Sequence, residues 1–243
     1  MKAIFSTLLW FWCFQCIAGE QPFTRVGYAY NFDNDVLVYT EYHHEIFSDG
    51  VVIESKVIYK DINGEIFAEK KLDFKANSYL PEFSLINSST GHKESTRYFD
   101  NIYEVQFLES SKKKIKKKFL EYPLGAISDA GFDNFIISHW QEIISGDKFT
   151  RDFLIPGMLR FFEFRIYEKE IIKQKGKVYR VLHIEPASFL LRTFAGTSKL
   201  YYEYDRPVLQ RFHGISNMRN QKGDNYKVNI LYHKQISALT FKN

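Results

Sequence analysis

With 243 residues, 33 lysines and arginines against 29 aspartates and glutamates, and a formal charge of +4, the chain lacks the basic excess that would point to nucleic acid as a partner. Its 23 phenylalanines and 16 tyrosines provide the apolar volume of one real core, and its 13 glycines and 6 prolines form no run that would mark a linker. Both cysteines, Cys13 and Cys16, lie close to the start of the chain. A mature protein without that stretch has no disulfide framework, no thiolate metal site and no cysteine nucleophile.

The first predicted element is a secretory leader. Met1 and Lys2 precede an uncharged apolar run from Ala3 to Ile17 that contains Trp10, Phe11 and Trp12, and Cys16-Ile17-Ala18 ends on a small residue. The run is short for a permanent membrane span, so cleavage is expected after Ala18, with a retained anchor as the competing reading. Neither cysteine follows the small residues that a lipidation site requires. The expected product is a periplasmic protein of a Gram-negative bacterium, a single β-rich domain over residues 19–243.

Beyond the leader the pattern is that of strands and tight turns. Val26 to Phe47 alternates apolar and polar residues around a turn at Asp33-Asn34-Asp35, and Asp49-Gly50 reverses the chain. Val51 to Tyr59 and Glu65 to Phe74 flank the turn Asp61-Ile62-Asn63-Gly64, with Ile66, Ala68, Lys70, Leu72 and Phe74 on one face. Pro81 interrupts this meander, which resumes at Phe83 to Ile86 and, after the loop Asn87 to Gly91, around Tyr98 and from Tyr103 to Leu108. Such short connections imply antiparallel pairing.

Ser128 to Gly146 is the one long segment with a helical period. Phe132, Phe135, Ile136, Trp140, Ile143 and Ile144 share a face, with Asp133, Asn134, Ser138, Gln141 and Glu142 opposite. Ser128 or Asp129 is expected to cap its start and Gly146 to end it. Strands follow from Phe149 to Ile155, Leu159 to Ile172, Val178 to Ile184, Thr197 to Tyr204, Val208 to Phe212 and Tyr226 to Tyr232, divided by turns at Pro156-Gly157, Lys175-Gly176-Lys177 and Asp205-Arg206-Pro207. The expected fold is mainly β, a β-rich α+β architecture. About ten antiparallel strands form a curved sheet or incomplete barrel wrapped around one principal α-helix.

The second half carries a resemblance. A helix ending in Gly146, a long strand, the Lys175-Gly176-Lys177 turn and the segment KLYYEYDRPVLQRFHGISN from Lys199 to Asn217 resemble the half-barrel superfamily of periplasmic lipoprotein carriers and their relatives of unknown function. The resemblance implies binding rather than catalysis, a lipid or other apolar ligand in an enclosed cavity, and no cofactor. The ligand would rest on Phe132, Phe135, Ile136, Trp140 and Ile143 of the helix and on Phe162 and Phe164 of the long strand.

Three further features could carry chemistry. In Glu41-Tyr42-His43-His44-Glu45, a strand places Glu41, His43 and Glu45 on one face and Tyr42 and His44 on the other. His183 and Glu185 alternate in the same way, and if the two strands were neighbours they could surround a zinc ion or supply acid-base groups. A metal-dependent or other hydrolase using His43, His44, His183 and nearby carboxylates is therefore the alternative function, and solvated or hydrogen-bonded strand residues are the plain reading. Lys112, Lys113, Lys114, Lys116, Lys117 and Lys118 suit a protected sheet edge, or contact with an anionic membrane surface. No catalytic or metal-binding residue is assigned. His139 is expected to be a hydrogen-bonded helix residue, and Ser216 lacks the flanking glycine of a nucleophile elbow.

Overall fold

The computed structural model describes residues 24–48, 51–100 and 102–234. The expected leader and the Asp49-Gly50 turn fall outside the described residues. The first half of the chain forms eight strands: β1 (Arg25–Asn31), β2 (Leu37–Ser48), β3 (Val51–Lys60), β4 (Ile66–Asp73), β5 (Glu82–Asn87), β6 (Lys93–Phe99), β7 (Ile102–Leu108) and β8 (Lys116–Leu120). The second half begins with a two-residue strand, β9 (Ile127–Ser128), followed by helices α1 (Phe132–Ser138) and α2 (Trp140–Ile144). It continues through β10 (Phe149–Ile155), β11 (Arg160–Gln174), β12 (Lys177–Pro186), α3 (Phe189–Ala195), β13 (Ser198–Glu203), β14 (Leu209–Arg219) and β15 (Asn225–Lys234).

All fifteen strands belong to one sheet, in the order β8-β7-β6-β5-β4-β3-β2-β1-β15-β14-β13-β12-β11-β10-β9. Each half is an antiparallel meander, and the halves are joined where the first strand pairs with the last, from Arg25 opposite Lys234 to Asn31 opposite Val228. Only the short β9–β10 contact is parallel. The edges β8 and β9 follow one another in sequence, separated by residues 121–126, so their facing ends lie at most about 25 Å apart. A flat sheet of this many strands would be roughly 65 Å wide, so the sheet has to curl. The two ends of the sheet meet through side chains one strand in from each edge: Tyr103 and Val105 of β7 pack with Leu154 of β10, Leu80 and Ala126. No hydrogen-bonded ladder closes the ring among the described residues.

Mainly β is correct, and the expected count of about ten strands is not. The segments read as strands correspond to thirteen of the fifteen, with Val26 to Phe47 divided by its turn into β1 and β2, and the two strands missed lie where the apolar pattern fails. β8 is exposed at Lys116, Lys117, Lys118 and Phe119, and β9 is too short to show alternation.

The single principal helix is also corrected. The helical segment divides at His139 (φ −112°, ψ 23°), whose Nδ1–H donates to the Phe135 carbonyl at 2.9 Å while its ring stacks on Phe135. Phe135, Ile136, Trp140 and Ile143 are buried inside the curl against β10 to β14, each gaining about 1.5 to 3 kcal/mol on leaving water. The start is not capped as expected, since Ser128 belongs to β9 and the cap position is Gly131 without a side-chain bond. The end is as expected. Gly146, at φ +106°, lets its own N–H reach the Ile143 carbonyl and that of Asp147 reach Glu142, the paired bonds of a Schellman motif. The third helix, α3, was not expected. Its Phe189 and Leu190 are exposed and give no one-sided pattern. Among the described residues no helix is long and apolar enough to cross a membrane.

Candidate ligand cavity

A cavity of about 620 Å³ opens on the concave face, between the inner surfaces of β1 to β4, β14 and β15 and the start of α1. Its size is within the roughly 300 to 1,000 Å³ common for small-molecule sites. Strand register sets out its floor in two rows. One runs from Lys70 on β4 through Val57 and His43 to Arg25 on β1. The other runs from Ala68 through Tyr59, Glu41 and Gly27 to Tyr232 on β15. Two-residue alternation therefore turns Glu41, His43 and Glu45 inward together, as the sequence predicted, and all three line the cavity.

Gly27 is the close-approach position. A Cβ there would lie 2.9 Å from the Tyr232 ring and 3.1 Å from Glu41 Oε2. Without it, Tyr232 folds across β1 and its hydroxyl donates to Glu41 Oε2 at 3.3 Å. His43 Nε2 donates to the same oxygen at 3.1 Å. Burial lowers the His43 pKa, and nearby Arg25 lowers it further against the pull of Glu41. Burial also pushes the Tyr232 hydroxyl well above its ordinary value. Both donors to Glu41 are thus neutral near pH 7.

The other charges reach across the cavity. Arg25 lies 3.7 Å from Glu45 and 3.7 Å from Asp133 of α1, with its guanidinium over the Tyr232 ring. Burial works against its charge, but Glu45 and Asp133 prevail and raise its pKa. Asp133 accepts a 2.6 Å hydrogen bond from the Tyr202 hydroxyl. Burial raises its pKa despite Arg25 and that bond. Lys70, buried on β4, pairs with Asp129 at 2.9 Å, and Asn217 donates to the same oxygen. Asp129 and Asp133 so tie the start of the helix to the sheet across the cavity.

The walls are apolar, formed by Val57, Leu72, Phe74, Phe132, Phe212 and Ile230 among others. Of the residues expected to hold a ligand, Phe132 lines the cavity. Phe135, Ile136, Trp140 and Ile143 lie in the core behind it, and Phe164 packs against that core. Phe162 is half-buried on β11 opposite Phe153.

The two histidine strands are not neighbours, since β1, β15, β14 and β13 lie between β2 and β12. Glu185 is instead held by Arg165 at 2.8 Å, Arg192 at 3.5 Å and the Thr197 hydroxyl. His44 points to the other face of β2 from His43, and the described residues contain no group of three or more His, Cys, Asp or Glu able to hold a metal. Ser216 shares a hydrogen bond with the Tyr39 hydroxyl at 2.9 Å, a structural role.

Arg25, Asp133 and Tyr232 were not singled out by sequence reasoning, because only the β1–β15 pairing and the helix crossing bring them together. The available signal was Gly27, a glycine inside a strand, which marks close approach of neighbouring groups.

No protein-family model and no curated protein sequence matches the chain. Among solved structures it is similar to a beta-barrel-like protein of domain of unknown function DUF1849 from Brucella abortus. The TM-score is 0.50 at 8% identity, over 87% of this chain and 97% of that one. At that identity the likeness is one of fold, and the fold of this chain is β-barrel-like.

Proposed function

We propose that this is an exported, periplasmic binding protein that holds an apolar or amphipathic small molecule in the concave cavity. The observation that carries the reading is the cavity itself: about 620 Å³ with apolar walls and its charged groups gathered on β1, β2, β4 and the start of α1. Apolar walls with a few placed polar groups are the usual make-up of a ligand pocket. The resemblance to lipoprotein carriers supports binding over catalysis, and the Met1 to Ala18 pattern supports export. The separation of His43 from His183 and the engagement of Glu185 by two arginines give the hydrolase alternative no support.

A neutral fluorescent probe, N-phenyl-1-naphthylamine, tests the reading. The mature protein should bind one equivalent with a rise in emission. Ser55→Trp, which fills the cavity from β3, should abolish binding, and Ile62→Trp on an exposed turn should not. Equal binding by both variants would place the probe elsewhere and remove the proposal.

A further inference from the structure

Glu41 is 6% exposed, and both of its hydrogen bonds, from His43 and Tyr232, fall on Oε2. Among the described residues Oε1 has no hydrogen-bond partner, and no lysine or arginine is ion-paired with this carboxylate. The Arg25 charge reaches it through space but is ion-paired with Glu45 and Asp133, and a carboxylate so deeply placed whose hydrogen bonds come only from neutral donors is costly unless a cation or further donors complete it. Oε1 is not sealed inside the protein, since Glu41 lines the cavity. The rest of the lining has the same sign of imbalance: Glu45, Asp129 and Asp133 stand against Arg25 and Lys70.

Resting on the binding reading above, we infer that the cavity selects an amphiphile with an ammonium head, which donates to Glu41 Oε1 while its chain lies against the apolar walls. The cations already present do not favour the opposite charge. Lys70 is joined to Asp129. An anionic head drawn to Arg25, whose buried Nε has no hydrogen-bond partner, would meet Glu45 and Asp133 on either side of the guanidinium. An ammonium meets an excess of carboxylates, and a neutral hydroxyl can donate to Oε1 but brings no charge to set against them. Opposite charges attract most strongly where the surroundings are least polar, so this choice of sign is made more strictly in the cavity than at the protein surface.

Displacement of N-phenyl-1-naphthylamine by dodecylammonium, dodecanoate and dodecanol at pH 7.5 tests head-group sign at constant chain length. Dodecylammonium should bind at least roughly ten-fold tighter than dodecanoate. Glu41→Gln, with folding checked by its urea midpoint, should erase that advantage, and an advantage of the same size in the variant would overturn the inference. A dodecyl phosphoethanolamine arm identifies the source of the ammonium. Binding tighter than the simple amine assigns it to a phospholipid head, weaker binding to a free amine, and each supports the inference provided dodecanoate is weaker than both. Tighter binding of dodecanoate, lost in Arg25→Met, would overturn the inference and make Arg25 the anchor of an anionic ligand. Equal affinities for all three dodecyl compounds would overturn charge selection and leave an apolar cavity standing. Failure of the probe and of every dodecyl compound would instead remove the binding reading beneath it.

Discussion

At Gly27 a single hydrogen atom decides whether Tyr232 and Glu41 can meet across β1. Gly27→Ala puts a methyl group 2.9 Å from the Tyr232 ring and 3.1 Å from Glu41 Oε2, and the ring is not a flexible chain end that swings clear. The expected loss is about 1 to 3 kcal/mol in a urea titration, as for other overpacked sites, together with weaker probe binding. Unchanged stability and affinity would show that the contact is unimportant. His43 makes its own demand on pH. Its folded pKa lies below the ordinary 6.5 because burial and Arg25 oppose the charged ring, so the unfolded chain takes up a proton that the folded chain resists. Stability is fully present above about pH 6.5 and falls as the pH drops from there toward the folded pKa. His183 and His213 are lowered too, chiefly by burial, and contribute to the same limb. His43→Gln, which keeps a donor for Glu41, should reduce proton uptake on unfolding by up to about one proton. A stability-versus-pH curve of unchanged slope would contradict the assignment.

At the scale of elements, the helical segment and the sheet edge carry opposite instructions. Trp140 is 5% exposed and packs on Tyr202, whereas Gln141 faces water. Trp140→Ala should cost about 3 to 5 kcal/mol and Gln141→Ala less than about 0.5. Equal urea midpoints for the two variants would mean that α2 is not docked in the curl. The edge strand β8 is protected by charge. Lys116 and Lys118 are exposed on a strand that pairs on one side only among the described residues, while Lys117 pairs with Glu104 at 2.6 Å. A like-charged row resists pairing with a second copy. Lys116→Val with Lys118→Val should leave chain stability within about 0.5 kcal/mol but produce association that rises with concentration in sedimentation velocity. A variant that stays as dispersed as the parent would remove the edge from that role.

For the whole molecule, the decisive event is the pairing of β1 with β15, which brings the two ends of the described chain into one sheet. That pairing shows why some of the structure was legible in the sequence and some was not. Turns such as Asp61 to Gly64 and Lys175 to Lys177 announce themselves through residue types that favour reversed backbone, and the strands between them alternate plainly. That Glu41, His43 and Glu45 share one face follows from alternation alone, while the cavity shows that this face points inward. What alternation cannot supply is the partner across a sheet. Arg25 meets Asp133 and Glu41 meets Tyr232 through contacts that span 108 and 191 residues. Nothing local to either side marks them except Gly27. The helix was visible for its apolar face and misread at its start, where Asp129 serves Lys70 rather than the first turn. Strand β8 was hidden because it has charge where a strand pattern has apolar residues.

A binding site between the curled sheet and the start of α1 should keep its ligand through a gentle purification. Native mass spectrometry of the protein, purified gently from its own cells, measures what the cavity retains. One small molecule of amphipathic character per chain is expected, retained by the parent protein and missing from Ser55→Trp. Bare protein mass in both preparations, or a molecule retained equally by both, would contradict it.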